Sequence, residues 1–87
     1  MLKVSTPAAV QLAHLLNPRA DDAVVRIIRR KKRLRLRWSL VRPGDQTFAH
    51  DGRVVLALDE RMRRSLSKRQ LDVKQTDAGP RLRMKSS

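Results

Sequence analysis

Arg33-Leu34-Arg35-Leu36-Arg37-Trp38-Ser39-Leu40 alternates a polar residue with an apolar one at every step. A period of two is that of an extended chain whose successive side chains point to opposite faces of a sheet. The segment therefore predicts a half-buried strand of an antiparallel sheet. Leu34, Leu36, Trp38 and Leu40 would lie on the core side, with Arg33, Arg35, Arg37 and Ser39 on the solvent side.

Upstream, Ala23 to Ile28 is rich in β-branched residues and predicts a second strand. Arg29-Arg30-Lys31-Lys32 interrupts the apolar pattern and predicts the turn between the two. Downstream, Arg42-Pro43-Gly44-Asp45 predicts another turn. Thr47-Phe48-Ala49 and Arg53 to Leu58 then flank His50-Asp51-Gly52, and Asp-Gly between apolar runs is a strong hairpin signal.

The outer segments add helices. Leu2-Lys3-Val4 reads as a short strand. Thr6 is placed to cap a first helix, with Pro7 at its first position. Ala9, Leu12, Ala13 and Leu16 recur at helical spacing, and Asn17-Pro18 stops the helix, Asn suiting a left-handed end. Asp59 caps a second, shorter helix that turns Met62 and Leu66 inward. Leu71 to Lys74 and Arg81 to Met84 read as two last strands around an Asp77-Ala78-Gly79-Pro80 turn. The order predicts an α+β fold: a small, mixed, mostly antiparallel sheet with one longer N-terminal helix and one short helix. One domain spans residues 1–87, with a short tail at 85–87. The expected core holds Leu12, Leu16, Val25, Ile27, Leu36, Trp38, Phe48, Val55 and Leu66.

This layout resembles the HesB-like domain of the A-type iron–sulfur carriers. Val4-Ser5-Thr6-Pro7-Ala8-Ala9 looks like that family's opening of a strand followed by T-x-x-A, with Leu12 and Leu15-Leu16 on the first helix. Val25-Arg26-Ile27-Ile28 looks like its second strand. Asp45 to Leu58, with Asp51-Gly52-Arg53-Val54-Val55-Leu56, looks like its hairpin, and Leu71-Asp72-Val73 resembles the segment after the short helix. The likeness runs from about Leu2 to Met84. The family's ligand cysteines do not carry over. The Gly-rich loop that holds one of them is replaced by Arg30-Lys31-Lys32-Arg33-Leu34, and the sequence ends at Ser87, about where a C-G-C tail would begin. The resemblance therefore implies the fold without the cluster, because function lives in sites and not in folds.

Composition sets the remaining limits. The 87 residues carry 21 Lys and Arg against 8 Asp and Glu, a net charge of +13. Such an excess attracts polyanions: nucleic acid, an acidic protein or an anionic surface. A genome rich in Arg codons would produce the same bias without a function. Cysteine is absent, which removes disulfides, thiolate metal sites and cysteine nucleophiles. His14 and His50 have no neighbours at metal-ligand spacing and read as surface residues, so no metal or other cofactor is expected. No nucleophile elbow or phosphate-cradling glycine loop appears, and no enzyme activity is expected. No signal peptide and no apolar run of roughly 20 residues is seen, so the expectation is a cytoplasmic protein without membrane insertion.

The candidate site is the cationic run. From Arg26 to Arg42 there are nine basic residues and no acidic one. Arg29, Arg30, Lys31, Lys32, Arg33, Arg35 and Arg37 are the expected polyanion-binding residues. Arg33, Arg35 and Arg37 would project from one face at steps of about 6.6–6.8 Å, and guanidinium groups grip phosphate or carboxylate oxygens in pairs. The competing explanation is an edge strand guarded by charge against aggregation. Trp38 and Phe48, the only aromatics, are assigned to the apolar face, so nucleic-acid contact would be with the backbone. Three functional classes stay open: a module binding nucleic acid or another polyanion, a cluster-free accessory of iron–sulfur assembly docking an acidic protein, and a structural subunit. A thin core at this size also predicts a weak homodimer.

Overall fold

A computed structural model describes residues 1–86. The chain runs β1 (Lys3–Val4), α1 (Thr6–Leu16), β2 (Val24–Arg30), β3 (Arg33–Ser39), β4 (Gln46–His50), β5 (Arg53–Leu58), α2 (Glu60–Ser65), β6 (Arg69–Thr76) and β7 (Gly79–Ser86). The α+β class is as expected, but the strands divide into two sheets. One has the order β1-β6-β7 and the other β3-β2-β5-β4. The pairs β2–β3, β4–β5 and β6–β7 are antiparallel, whereas β1–β6 and β2–β5 are parallel.

Local chemistry explains the ends of the elements. Ser5, not Thr6, caps α1: its backbone is extended and its Oγ accepts from the Ala8 N–H at 3.2 Å. Thr6 becomes the first helical residue and Pro7 the second, where a missing N–H still costs nothing. Asn17 ends the helix in a right-handed conformation, with its N–H on the His14 carbonyl, so the stop falls to Pro18 rather than to a left-handed cap. Asp59 caps α2 through a 2.8 Å bond from the Met62 N–H. At the Asp51-Gly52 turn both residues adopt positive φ, as the twist of a two-residue hairpin requires. β7 continues through Lys85 and Ser86, which pair with Gln70 and Arg69, so these two residues belong to the sheet and not to the expected tail.

Helix α1 packs against strands of both sheets, and the core lies between them. Leu12, Leu16, Ile27, Leu56, Leu58 and Leu66 are fully buried there, joined by Leu2, Val25, Val55, Met62 and Leu71. Asp72 ties three elements together near this core. Its carboxylate accepts from Ser5 Oγ at 2.7 Å and from its neighbour's N–H on Val73 at 2.8 Å, and it pairs with Lys85 Nζ at 3.0 Å.

Three expected core positions differ. Phe48 is only partly buried against the core, while Leu36 and Trp38 are 43% and 48% exposed. The reason is topological. β3 and β4 are the two outer strands of their sheet, so their apolar faces extend past the layer that covers β2 and β5. Leu34 still reaches the core, but the residues farther along the strand do not.

Candidate polyanion site on the β2–β3 hairpin

The strand β2 runs on through Arg29 and Arg30, so the turn shrinks to Lys31 and Lys32. Both lysines adopt positive φ, 51° and 66°. The register then pairs Arg30 with Arg33, Ile28 with Arg35 and Arg26 with Arg37. Directly paired residues share a face. One face of the hairpin therefore gathers Arg30, Arg33, Arg35 and Arg37 around Ile28, and Lys31 closes the end. An open recess of about 710 Å³ lies among them, and among the described residues no carboxylate lines it.

The other two expected site residues go elsewhere. Arg29 and Lys32 line a second recess, against α2, together with Asp59, Arg61, Met62 and Ser65. Arg29 Nη2 donates to Ser65 Oγ at 2.7 Å. The seven residues thus form two groups that share Lys31: Arg30, Lys31, Arg33, Arg35 and Arg37 in one, and Arg29, Lys31 and Lys32 in the other, where Asp59 offsets part of the charge. Arg61 belongs to the second group, although its place on α2 gave no sign of this in the sequence.

Arg26 leaves the cationic surface altogether. It is 2% exposed and forms an ion pair with Asp45. The other eight basic residues of the run are exposed. The paired Asp45 carboxyl is held below the usual carboxylate range, first by its hydrogen bonds from Arg26, against the opposing effect of burial.

Trp38 makes contacts that the sequence did not foretell. Its Nε1 donates to the Leu15 carbonyl at 3.2 Å, and the Arg19 guanidinium stacks 3.8 Å from the ring centroid. One face of the indole is therefore already taken by a cation. Arg19 sits in a polar loop, and only the chain turning at Pro18 brings it back over β3.

Among the described residues, no three His, Asp or Glu side chains converge as metal ligands would. His14 is exposed, and half-buried His50 lies 3.5 Å from the Asp51 carboxylate. No helix among these residues is long and apolar enough to cross a membrane.

No protein-family profile matches the sequence, and no curated protein matches it. Solved structures do match the fold. Escherichia coli SufA, described as involved in biosynthesis of iron–sulfur clusters, superposes with a TM-score of 0.75 at 16% identity, over 98% of this chain and 84% of that one. IscA, solved with a [2Fe-2S] cluster, gives a TM-score of 0.63 at 18% identity, over 99% of this chain and 82% of that one. The HesB-like architecture expected from the sequence is thus the one observed, and at these identities the likeness concerns the fold alone.

Proposed function

We propose that this chain, with the fold of SufA and IscA and no cysteine, is a non-catalytic cytoplasmic binding protein that engages a polyanion through the β2–β3 hairpin. The observation that carries the reading is the recess ringed by Arg30, Lys31, Arg33, Arg35 and Arg37, without a carboxylate among its described lining residues. Cations brought this close repel one another, so a sheet built for stability alone gains nothing from them. An edge guard needs only about one lysine. A phosphate or carboxylate chain laid across the recess would meet several guanidinium groups at once and release its counterions.

The test is a titration of the nuclease-treated protein with duplex DNA, single-stranded RNA and polyglutamate over a range of salt. Affinity is expected to fall steeply as salt rises, with a slope near 0.9 per duplex phosphate contact and little dependence on base sequence. Failure to bind all three polyanions at low salt overturns the reading.

A second reading is favoured by one observation, the fold shared with a protein described as involved in biosynthesis of iron–sulfur clusters. In it the chain is a cluster-free accessory of that assembly, and the polyanion is an acidic protein partner. Purified assembly proteins that ignore the hairpin, in binding assays against wild-type and hairpin-neutralised protein, would remove this reading.

A further inference from the structure

We propose that the outer edge of β3 is a docking site for an extended acidic segment of a protein partner, in which carboxylates alternate with apolar residues. The inference rests on the polyanion reading of the hairpin and narrows it to one class of ligand.

Among the described residues β3 pairs with β2 alone, in unbroken register from Arg30–Arg33 to Val24–Ser39. Alternation in an antiparallel ladder leaves every second residue of such a strand with its N–H and C=O turned outward. Open edges of this kind accept an added strand. The other edges are less suited. β4 is short and carries a register shift between Phe48 and Ala49, which blunts an edge. β7 is long, but its apolar side chains Leu82 and Met84 are already packed on the core. On β3 the apolar residues Leu36 and Trp38 remain about half exposed.

Two small recesses flank Leu36. One, of about 190 Å³, lies between it and Trp38, with Leu15 and Val25 behind. The other, of about 140 Å³, lies between it and Leu34, with Leu82 and Met84 behind. Alternate side chains of an added strand sit about 6.6–6.8 Å apart and would enter these two recesses in turn. The intervening side chains would then fall on the face of Arg33, Arg35 and Arg37, which calls for carboxylates.

The same geometry argues against other occupants. A second copy of the chain, paired antiparallel about Arg35 or Leu36, would set arginine against arginine. A nucleic-acid backbone would use the arginines but leave the apolar recesses empty. Its bases would find one face of Trp38 occupied by Arg19.

Trp38 is the sole tryptophan, so its fluorescence reports directly on the edge. The probes are a peptide of β3's length that alternates Glu with Val, one that alternates Glu with Pro, and duplex DNA. The two peptides carry the same charge at the same spacing, but proline has no N–H to add to a ladder. The Glu-Val peptide is expected to shift the Trp38 emission and to bind more tightly than the Glu-Pro peptide by about tenfold or more. Arg35→Glu, with its fold checked by circular dichroism, is expected to weaken the Glu-Val peptide by a similar factor. Equal affinity for the two peptides overturns the strand proposal and leaves the polyanion reading standing, as does binding of DNA with neither peptide. A protein that binds none of the three overturns both. Self-association that alters the Trp38 emission without any peptide also overturns the proposal, by putting a second copy on the edge.

Discussion

Arg26 and Asp45 meet through a two-pronged ion pair in which each side chain is 3% exposed. Arg26 Nη1 reaches Asp45 Oδ1 at 3.0 Å and Nη2 reaches Oδ2. Arg26 also donates from Nε to Ser39 Oγ and from Nη2 to the Leu40 carbonyl, while Asp45 Oδ2 accepts the Arg42 N–H. One buried cation thereby fastens the turn after β3 to the middle of β2.

Removing one partner should cost far more than removing both. Asp45→Ala leaves an uncompensated buried cation and is expected to destabilise the fold by about 3–5 kcal/mol. That is a large part of the roughly 5–15 kcal/mol that holds a small domain folded. Arg26→Met combined with Asp45→Leu should lose much less, because no charge is stranded. Denaturant midpoints of the three proteins check this, and equal losses for the single and double changes would refute it.

Acid should loosen the fold in a defined direction. Asp45 is held low by Arg26, and Asp72 is held below the usual carboxylate range by hydrogen bonds from Ser5, then Lys85 and the Val73 N–H. A carboxyl whose folded pKa lies below its unfolded value of about 3.9 contributes stability that is complete above that value. The contribution is lost as pH falls toward the folded pKa. Melting temperature is therefore expected to stay level from neutrality to about pH 5 and to drop below it. Asp72→Asn should flatten that drop, and an unchanged acid limb would count against the role given to Asp72.

Arg33, Arg35 and Arg37 are exposed, and among the described residues their side chains form no hydrogen bond or ion pair. Replacing all three by Gln is expected to keep the melting temperature and to flatten the salt dependence of duplex binding by up to about three units in log–log slope. The control is Arg63→Gln with Arg64→Gln on α2, which should leave that slope unchanged. If the triple variant binds DNA, RNA and polyglutamate as the parent does, the hairpin is only a guarded edge.

Incubation with iron and sulfide under anaerobic conditions is expected to give no cluster absorbance, since no thiolate is available among the 87 residues. A stable coloured holoprotein would overturn this.

How far the sequence discloses such a structure depends on whether a residue answers to its neighbours in the chain or to distant ones. The alternation in β3, the Asp51-Gly52 turn and the inward Met62 and Leu66 are local signals, and each has its place in the fold. The exposure of Leu36 and Trp38 follows from β3 standing last in its sheet, and strand order is not written in the alternation of one strand. The same holds for Arg26. Inside a run of cations it reads as one more surface charge, and only Asp45, brought back by the turn after β3, makes it a buried anchor. Arg29 lies on the far side of the hairpin because β2 runs on through it and pairs it with Leu34, one alternation away from Ile28 and Arg30, and Lys32 belongs to the turn itself.

Lys31 and Lys32 hold a backbone conformation that Asn-Gly would adopt with far less strain. A left-handed backbone costs an ordinary residue roughly 1–2 kcal/mol. The hairpin tip is thus a position where ease of folding and positive charge pull apart. In a library that varies these two residues freely, the most heat-resistant clones should favour Asn and Gly, and the best polyanion binders should keep lysine or arginine. The two optima would not coincide, and the distance between them would measure how strongly selection has favoured the ligand over the fold.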